Sequence, residues 1–271
     1  MADQMTDDAL REGLEIAIAE GHIVPWFQPV MDPGGVNMLS AEALPRWEDP
    51  VKGVIPAGVF LKAAIEHNLL EKISKILLES SCANFADWRE RGIAPICVSV
   101  NFTGAELRSE TSVEQIRFAL EKHDMRPEQL AIEIAERVLD EPGWEQSLET
   151  AKSMRAMGTP FWLDDFGAGK CDPATIAKLD FEMTKVDRGI VGSLDDNPDM
   201  VERLGELVTQ AQGSGMKIIA KGVETRTQID ILVEKGCDGQ QGFAIARPMA
   251  PDAFAEWLDL NTWNSDFAQS A

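Results

Sequence analysis

The sequence predicts an α/β fold: a modified TIM (β/α)8 barrel with one antiparallel strand near the N-terminus. Apolar strand-like runs alternate with segments whose apolar residues recur every three or four positions, as in a mainly parallel sheet covered by helices. About eight such runs in one chain match a closed barrel. Only Pro33-Gly34-Gly35 separates the first two runs, which is too short for a parallel crossover. An open doubly wound sheet is the alternative.

The predicted elements follow one another along most of the chain. A short amphipathic helix with apolar residues from Leu10 to Ile18 comes first and ends near Gly21. The predicted strands are Val24–Val30, Met38–Trp47, Ile96–Phe102, Leu130–Ala135, Pro160–Leu163, Phe181–Val186, Lys217–Val223 and Gly239–Ile245. The predicted helical segments are Phe60–Arg91, with a break near Asn68, Ser112–His123, Trp144–Met157, Pro173–Leu179, Met200–Gln212, Thr225–Glu234 and Ala253–Leu260. The chain is thereby divided into a lead-in over 1–22, one barrel domain over 23–260 and a polar tail over 261–271.

Composition excludes several classes of function. The net charge is −21, and no Lys/Arg-rich run offers a basic face for a nucleic-acid polymer or an anionic membrane. The cysteines are scattered, without a Cys-x-x-Cys pair, at Cys82, Cys97, Cys171 and Cys237. This pattern argues against a zinc site or a disulfide framework and fits a reducing compartment. No signal peptide or membrane-spanning stretch is recognisable, so we expect a soluble, cytoplasmic protein.

The apolar run 159–163 ends in Asp164-Asp165-Phe166-Gly167. Adjacent residues on a strand point to opposite faces, so the two carboxylates cannot both lie on one solvated face. Like charges at the mouth of a buried strand raise each other's pKa unless a cation neutralises them. The doublet therefore indicates a hard divalent cation. The alternative is an ordinary turn in which an Asp caps the next helix.

Other strands end in the same way. In a barrel the active site lies at the carboxyl ends of the strands, where side chains from several strands converge. The polar or charged residues at these ends include Glu42, Arg46, Asn101, Glu133, Glu136, Asp164, Asp165, Lys185, Asp187, Lys221, Glu224 and Gln241. The carboxylate and amide oxygens among them are ligands for Mg²⁺, Mn²⁺ or Ca²⁺ rather than zinc. The Asp doublet could bridge two metals, an arrangement that activates water against a phosphodiester.

Motifs across roughly 24–257 resemble one family. Glu42-Ala43-Leu44-Pro45-Arg46-Trp47 is similar to the signature that names the EAL family of bacterial cyclic di-GMP phosphodiesterases. The other motifs follow in that family's order: Gln28-Pro29, Asn101, Glu133-x-x-Glu136, Asp164-Asp165-Phe166-Gly167, Lys185-x-Asp187-Arg188, Gly222-Val223-Glu224, Gln241-Gly242 and Arg247-Pro248. The family's fold is a modified TIM barrel, in agreement with the strand count.

The resemblance implies one or two Mg²⁺ or Mn²⁺ ions and second-messenger signalling through hydrolysis of cyclic di-GMP to linear pGpG. Glu42, Asn101, Glu133 and Asp164 would hold the first ion, and Asp165 would hold the second with Asp164 shared.

The resemblance also implies roles for other residues. Catalysis would involve Lys185, which orients or polarises the attacking water, together with Asp165 and Glu224. Glu136 would anchor the loop after the fifth predicted strand. A homodimer is implied as well. The residues implied in binding cyclic di-GMP are Gln28, Leu44, Arg46, Asp187 and Gln241.

Two departures from the family's pattern bear on activity. The loop 168–172 differs from the family's usual run, and Lys221-Gly222-Val223-Glu224 stands where the family has Glu-Gly-Val-Glu. Either Lys221 turns out to solvent and a water or Glu224 fills the gap, or the lysine impairs the site. Three hypotheses stay open: an active phosphodiesterase, a catalytically degenerate cyclic di-GMP receptor that signals through a protein partner, and a scaffold without nucleotide.

Overall fold

The computed structural model describes residues 7–109, 111–169 and 173–261. The strands in this part of the chain are β1 Ile23–Met31, β2 Met38–Asp49, β3 Gly53–Pro56, β4 Val98–Phe102, β5 Leu130–Ala135, β6 Phe161–Phe166, β7 Met183–Val186, β8 Lys217–Lys221 and β9 Gly239–Gln241. The α-helices are α1 Asp7–Glu20, α2 Ala57–Glu66, α3 Leu70–Glu90, α4 Gly104–Arg108, α5 Thr111–Lys122, α6 Trp144–Ala156, α7 Pro173–Ile176, α8 Arg188–Val191, α9 Pro198–Gly213, α10 Arg226–Lys235 and α11 Pro251–Leu260.

The sheet closes into an eight-stranded barrel. The strands follow one another around the ring as β1, β2, β4, β5, β6, β7, β8 and β9, and β9 pairs back to β1. Strand β1 is antiparallel to both of its neighbours, whereas the other pairs in the ring are parallel. The predicted modified barrel is thus confirmed, and the open doubly wound alternative is excluded because β1 joins both ends of the sheet.

Strand β3 lies outside the ring and was not predicted. It pairs antiparallel with the far end of β2, from Arg46 opposite Pro56 to Asp49 opposite Gly53. Four residues bounded by Gly and Pro carry too little apolar alternation to be recognised in sequence. The predicted break in the first long helical segment is confirmed, since Asn68 between α2 and α3 has a φ of 56°.

The main hydrophobic core fills the space between the barrel and its helices. Trp88 of α3 lies at its centre and is 1% exposed. Its ring centroid is 4.7 Å from that of Phe27 on β1 and 5.0 Å from that of Phe254 on α11. These contacts hold the first strand, which lacks parallel neighbours, against two helices distant from it in sequence.

A second cluster attaches α1 to the barrel. Leu14 and Ala17 of this helix are buried with Trp47 of β2 and Phe60 of α2. The lead-in helix is therefore packed on the same body as the barrel strands.

A third hydrophobic cluster fills part of the barrel interior. Its buried members are Val30, Cys97, Ala131, Trp162, Met183 and Ile219, most of them on different strands. Because side chains on a strand alternate between faces, the residues two positions further along these strands also point into the barrel. The apolar cluster is thus a floor on which the next inward layer rests.

The described cysteines Cys82, Cys97 and Cys237 are free and buried. Burial raises the pKa of each thiol to about 12, so these side chains are un-ionised packing groups at neutral pH. Cys171 lies outside the described residues. None of the helices that the structure describes contains a stretch long and apolar enough to cross a bilayer.

Replacing Trp88 by Ala should lower the free energy of unfolding by about 3–5 kcal/mol, because it leaves a cavity between β1 and two helices. Urea denaturation followed by circular dichroism measures this loss. Phe118→Ala is the matched control, since Phe118 is 60% exposed and its removal opens no cavity. Equal losses in the two variants would contradict the central position assigned to Trp88.

Candidate active site at the carboxyl ends of the barrel strands

The layer above the apolar floor is polar. Glu133, Lys185 and Lys221 each lie two residues after a floor residue on the same strand. Parallel strands therefore bring to one level side chains that are far apart in sequence. The inward positions of this layer are Gln28, Glu42, Ser99, Glu133, Asp164, Lys185, Lys221 and Gln241.

Lys185 is the centre of this layer. Its side chain is fully buried, and its Nζ donates hydrogen bonds to Glu42 Oε2 at 2.8 Å and to Glu133 Oε1 at 2.6 Å. The ammonium also lies 5.9 Å from the ring centroid of Trp162 in the floor. A buried cation requires this compensation, because moving it out of water costs several kcal/mol.

Glu42 connects Lys185 to three other strands. Asn101 Nδ2 donates to Glu42 Oε1 at 2.9 Å, and Gln241 Nε2 donates to Glu42 Oε2 at 2.8 Å. Gln241 Nε2 also lies 3.3 Å from Gln28 Oε1, and Gln28 Nε2 donates to the carbonyl of Ala246 at 2.9 Å. Residues assigned to metal and to substrate thus form one continuous network.

The charges of this network are coupled. Burial alone would raise the pKa of Glu42, but Lys185 and the hydrogen bonds from Gln241 and Asn101 outweigh it and lower that pKa. Burial, together with the nearby Glu42, raises the pKa of Glu133 to about 7, despite the opposing effect of Lys185. Burial lowers the pKa of Lys185, but the surrounding carboxylates outweigh it, so the net shift is upward and the amine stays charged.

The Asp doublet departs from regular strand geometry. Asp165 has a φ of 56°, and the pairing of β6 with β7 shifts register between Leu163 and Phe166. This bulge lets two adjacent carboxylates reach the same group, which a flat strand would prevent. We expected the strand to end at Leu163, but it continues through the doublet to Phe166.

Lys221 is the group that both carboxylates reach. Its Nζ donates to Asp164 Oδ1 at 2.6 Å and also to Asp165 Oδ1, and only 18% of its side chain is exposed. The alternative in which Lys221 turns out to solvent is therefore wrong. Burial would lower the pKa of Lys221, but Asp164 and Asp165 raise it overall. The pKa of Asp164 is raised by burial in spite of Lys221.

The rim beside this layer is formed by the hairpin of β1 and β2. Arg46 lies with its Cζ 5.8 Å from the ring centroid of Trp26, and its Nη1 donates to the carbonyl of Pro45 at 2.8 Å. Burial lowers the pKa of Arg46, against the opposing effect of Glu42. Leu44 is half-buried and pairs with Trp26 across the strands. The rim thus offers an aromatic face and a cation to a ligand.

Glu136 follows β5 and is buried. Its Oε2 accepts hydrogen bonds from the backbone N–H of Gly167 at 2.9 Å and of Gly169 at 3.2 Å. A Cβ on Gly169 would come within 2.8 Å of the Glu136 carboxyl carbon, so the loop can approach this closely only with glycine. The altered positions 170–172 lie outside the described residues.

Two predicted residues do not join the network. Asp187 Oδ1 accepts from the backbone N–H of Gly189 at 2.9 Å and caps α8. Glu224 is exposed, and its backbone N–H donates to Gln228 Oε1 at 2.7 Å. Their proposed roles in substrate binding and catalysis stay predictions.

The donor groups fit one divalent cation better than two. No three Asp, Glu, His or Cys side chains among the described residues converge closely enough to hold a metal without further ligands. However, Mg²⁺ commonly takes one or two carboxylates and completes its shell with water. Glu133 Oε2 is buried without a hydrogen-bond partner, and it lies in the same network as Glu42 and Asn101. The doublet fits a second ion poorly, because the Lys221 ammonium already lies between its carboxylates.

Sequence reasoning missed the residues that support the network. Trp162 lies beneath Lys185, Trp26 lies beside Arg46, and Ser99 Oγ is buried in the interior without a partner. Each lies two residues from a predicted site residue on the same strand. Because side chains two positions apart on a strand share a face, each of these residues could have been inferred from its predicted neighbour.

Comparison with known proteins identifies the family of this chain. A family model described as "EAL domain" matches residues 11–248. The chain belongs to the EAL domain family. This agrees with the resemblance carried by the sequence motifs and with the barrel observed here.

Relatives of this EAL domain include proteins named as cyclic di-GMP phosphodiesterases. The bifunctional diguanylate cyclase/cyclic di-GMP phosphodiesterase MucR of Pseudomonas aeruginosa is 32% identical over 241 residues, which cover 89% of this chain and 35% of that protein. The cyclic di-GMP phosphodiesterase RocR of the same species is 30% identical over 238 residues, 88% of this chain and 60% of that protein. The EAL domain here thus spans only part of the length of these relatives.

Solved EAL structures share the fold. A structure described as "PaMucR Phosphodiesterase, c-di-GMP complex" has a TM-score of 0.86 and 30% sequence identity, and the match covers 90% of this chain and 99% of that one. The FimX EAL domain of Pseudomonas aeruginosa bound to c-di-GMP has a TM-score of 0.80 at 22% identity, covering 90% of this chain and 98% of that one. The latter likeness bears on the fold alone.

Replacing Lys185 by Met should lower the free energy of unfolding by about 3–5 kcal/mol, because Glu42 and Glu133 lose their buried counter-ion. Urea denaturation at neutral pH measures the change. Lys152→Met removes an exposed lysine paired with Glu149 on the same helix and should change stability by less than about 0.5 kcal/mol. A similar small effect at Lys185 would contradict its place at the centre of the network.

Proposed function

We propose that this chain is a metal-dependent phosphodiesterase that hydrolyses cyclic di-GMP to linear pGpG. The observation that carries the proposal is the buried network of Lys185, Glu42 and Glu133, in which one carboxylate oxygen has no partner. A protein with only a structural role has no need to bury charges at such cost. The relatives named as cyclic di-GMP phosphodiesterases, and the structure of one as a c-di-GMP complex, support this substrate.

The rim suits the proposed substrate. A cyclic dinucleotide carries two phosphates and two aromatic bases. Arg46 forms no ion pair with a described carboxylate, so its guanidinium can neutralise a phosphate. Trp26 and Leu44 beside it supply apolar surface for a base or ribose.

The polar layer suits the proposed reaction. The water oxygen forms a bond to phosphorus and loses a proton, while the bond from phosphorus to one ribose 3′ oxygen breaks and that oxygen takes up a proton, which yields pGpG. Lys185 uses two of its three N–H groups on Glu42 and Glu133, so the third can hold the attacking water in line. Gln241 completes the polar wall and keeps Glu42 in place.

We further propose Mg²⁺ or Mn²⁺ as the cofactor. Glu42, Asn101, Glu133 and Asp164 are the residues that would hold it. When bound, such an ion stabilises negative charge on the phosphate and lowers the pKa of water.

A second candidate is a cyclic di-GMP receptor with little or no turnover, which passes its signal to a protein partner. The position of Lys221 between Asp164 and Asp165 favours this candidate. It leaves Arg46, Leu44 and Trp26 available for the nucleotide while it occupies the two carboxylates that the resemblance assigns to metal binding.

One paired experiment separates the two candidates. The pure protein is incubated with cyclic di-GMP and Mg²⁺ or Mn²⁺, and pGpG is followed by chromatography while binding is measured by calorimetry. Turnover supports the phosphodiesterase, and binding without turnover supports the receptor. Absence of both would refute the proposed ligand.

Asp164→Asn should abolish metal-dependent pGpG formation, because it removes a buried anionic oxygen from the proposed ion. Chromatography under the same conditions measures the rate. Asp180→Asn, at an exposed carboxylate paired with Arg155, is the control and should retain the rate. Hydrolysis that persists at full rate in Asp164→Asn would refute the metal assignment.

Arg46→Ala should weaken binding of cyclic di-GMP by about ten- to a hundredfold, the loss expected for one charge-assisted hydrogen-bond partner. Calorimetry in the presence of EDTA measures affinity without turnover. Arg117→Ala removes an exposed arginine paired with Glu114 and should bind like the unaltered protein. Unchanged affinity in Arg46→Ala would remove the rim from the proposed binding site.

A further inference from the structure

We propose that the Lys221 ammonium is a built-in cation that replaces a second divalent ion at Asp164 and Asp165, so that the site binds a single metal ion. This inference rests on the proposed function, because the metal itself is part of that proposal. It goes beyond that proposal because it names Lys221 as the residue that determines how many ions the site binds.

The geometry at the doublet carries the inference. Lys221 Nζ lies 2.6 Å from Asp164 Oδ1 and is also hydrogen-bonded to Asp165 Oδ1. An Mg²⁺ ion binds carboxylate oxygens at about 2.0–2.1 Å. An ion that bridged the same two oxygens would have to overlap the ammonium. Lys221 and a bridging ion therefore exclude each other.

The backbone is arranged around this contact. Asp165 adopts a left-handed φ of 56°, which residues other than glycine seldom take. This conformation lets both carboxylates of the doublet contact the Lys221 ammonium. Lys221 ends β8 and pairs in register with Gln241 on β9, so its main chain is fixed inside the ring.

Charge balance agrees with the geometry. A glutamate in place of Lys221 would remove one positive charge and add one negative charge. The difference of two units is the charge of one divalent cation. The identity of residue 221 therefore determines whether a second ion is needed to neutralise the same carboxylates.

The remaining ion has donors that Lys221 does not occupy. Lys221 is hydrogen-bonded to Asp164 through Oδ1, so Oδ2 of Asp164 is left for this ion. Glu133 Oε2 is unpartnered, and the Asn101 amide is hydrogen-bonded to Oε1 of Glu42, whereas Lys185 is bonded to Oε2. Neither group is hydrogen-bonded to Lys221. Occupation of the doublet by the ammonium leaves these donors available.

Counting bound Mn²⁺ tests the inference without nucleotide. The metal-free chain is titrated with Mn²⁺, and free ion is measured by electron paramagnetic resonance. The unaltered protein should bind one equivalent, and Lys221→Glu should bind two, with the spectral broadening of a closely spaced pair. Lys217→Glu makes the same change of charge at the exposed opposite end of β8 and should still bind one equivalent.

Either of two results would overturn the inference: two equivalents in the unaltered protein, or one equivalent in a folded Lys221→Glu variant. The first result does not depend on any variant, so it remains decisive if Lys221→Glu misfolds. Failure of the proposed function has a different signature. In that case neither binding of cyclic di-GMP nor pGpG is detected, whatever the number of Mn²⁺ ions.

Discussion

The buried ammonium of Lys185 is the interaction on which the rest of the site depends. Burial of a charge is unfavourable by several kcal/mol unless partners surround it, and here Glu42 and Glu133 supply them at 2.8 and 2.6 Å. Glu42 is in turn held by Asn101 and Gln241, so strands from both halves of the barrel must be in register for the ammonium to be satisfied. The polar layer therefore selects one packing of the barrel mouth and orients its own donors.

Two lysines pair with four carboxylates, namely Glu42, Glu133 and Asp164 of the polar layer and the adjacent Asp165. Four carboxylates surround two ammonium groups, which leaves two negative charges when all are ionised, the charge of one divalent cation. The upward pKa shifts of Glu133 and Asp164 have the same origin, since burial leaves these groups incompletely compensated. The residual charge of the two pairs thus equals the charge that the single proposed cation would neutralise.

Much of this arrangement could be predicted from sequence, and the failures have identifiable causes. The barrel and its antiparallel first strand followed from strand-helix alternation and from the short turn at 33–35. Strand β3 was missed because its four residues are too few to show the alternation of apolar and polar residues that marks a strand. The ending of β6 was misplaced because a bulge at Asp165 interrupts the alternation. Trp162 was missed because it reads as an ordinary core residue until the fold places Lys185 above it.

The sequence by itself determined the fold class, the family and the set of polar residues that meet at the strand ends, because these depend on periodicity and on residue order. Only the tertiary structure decided which charges neutralise each other. Lys185 and Lys221 are both lysines at strand ends, and sequence spacing does not show where a flexible side chain points. The register of β8 and the left-handed turn at Asp165 direct Lys221 inward, since the nearby carboxylates provide there the compensation that a half-buried ammonium requires.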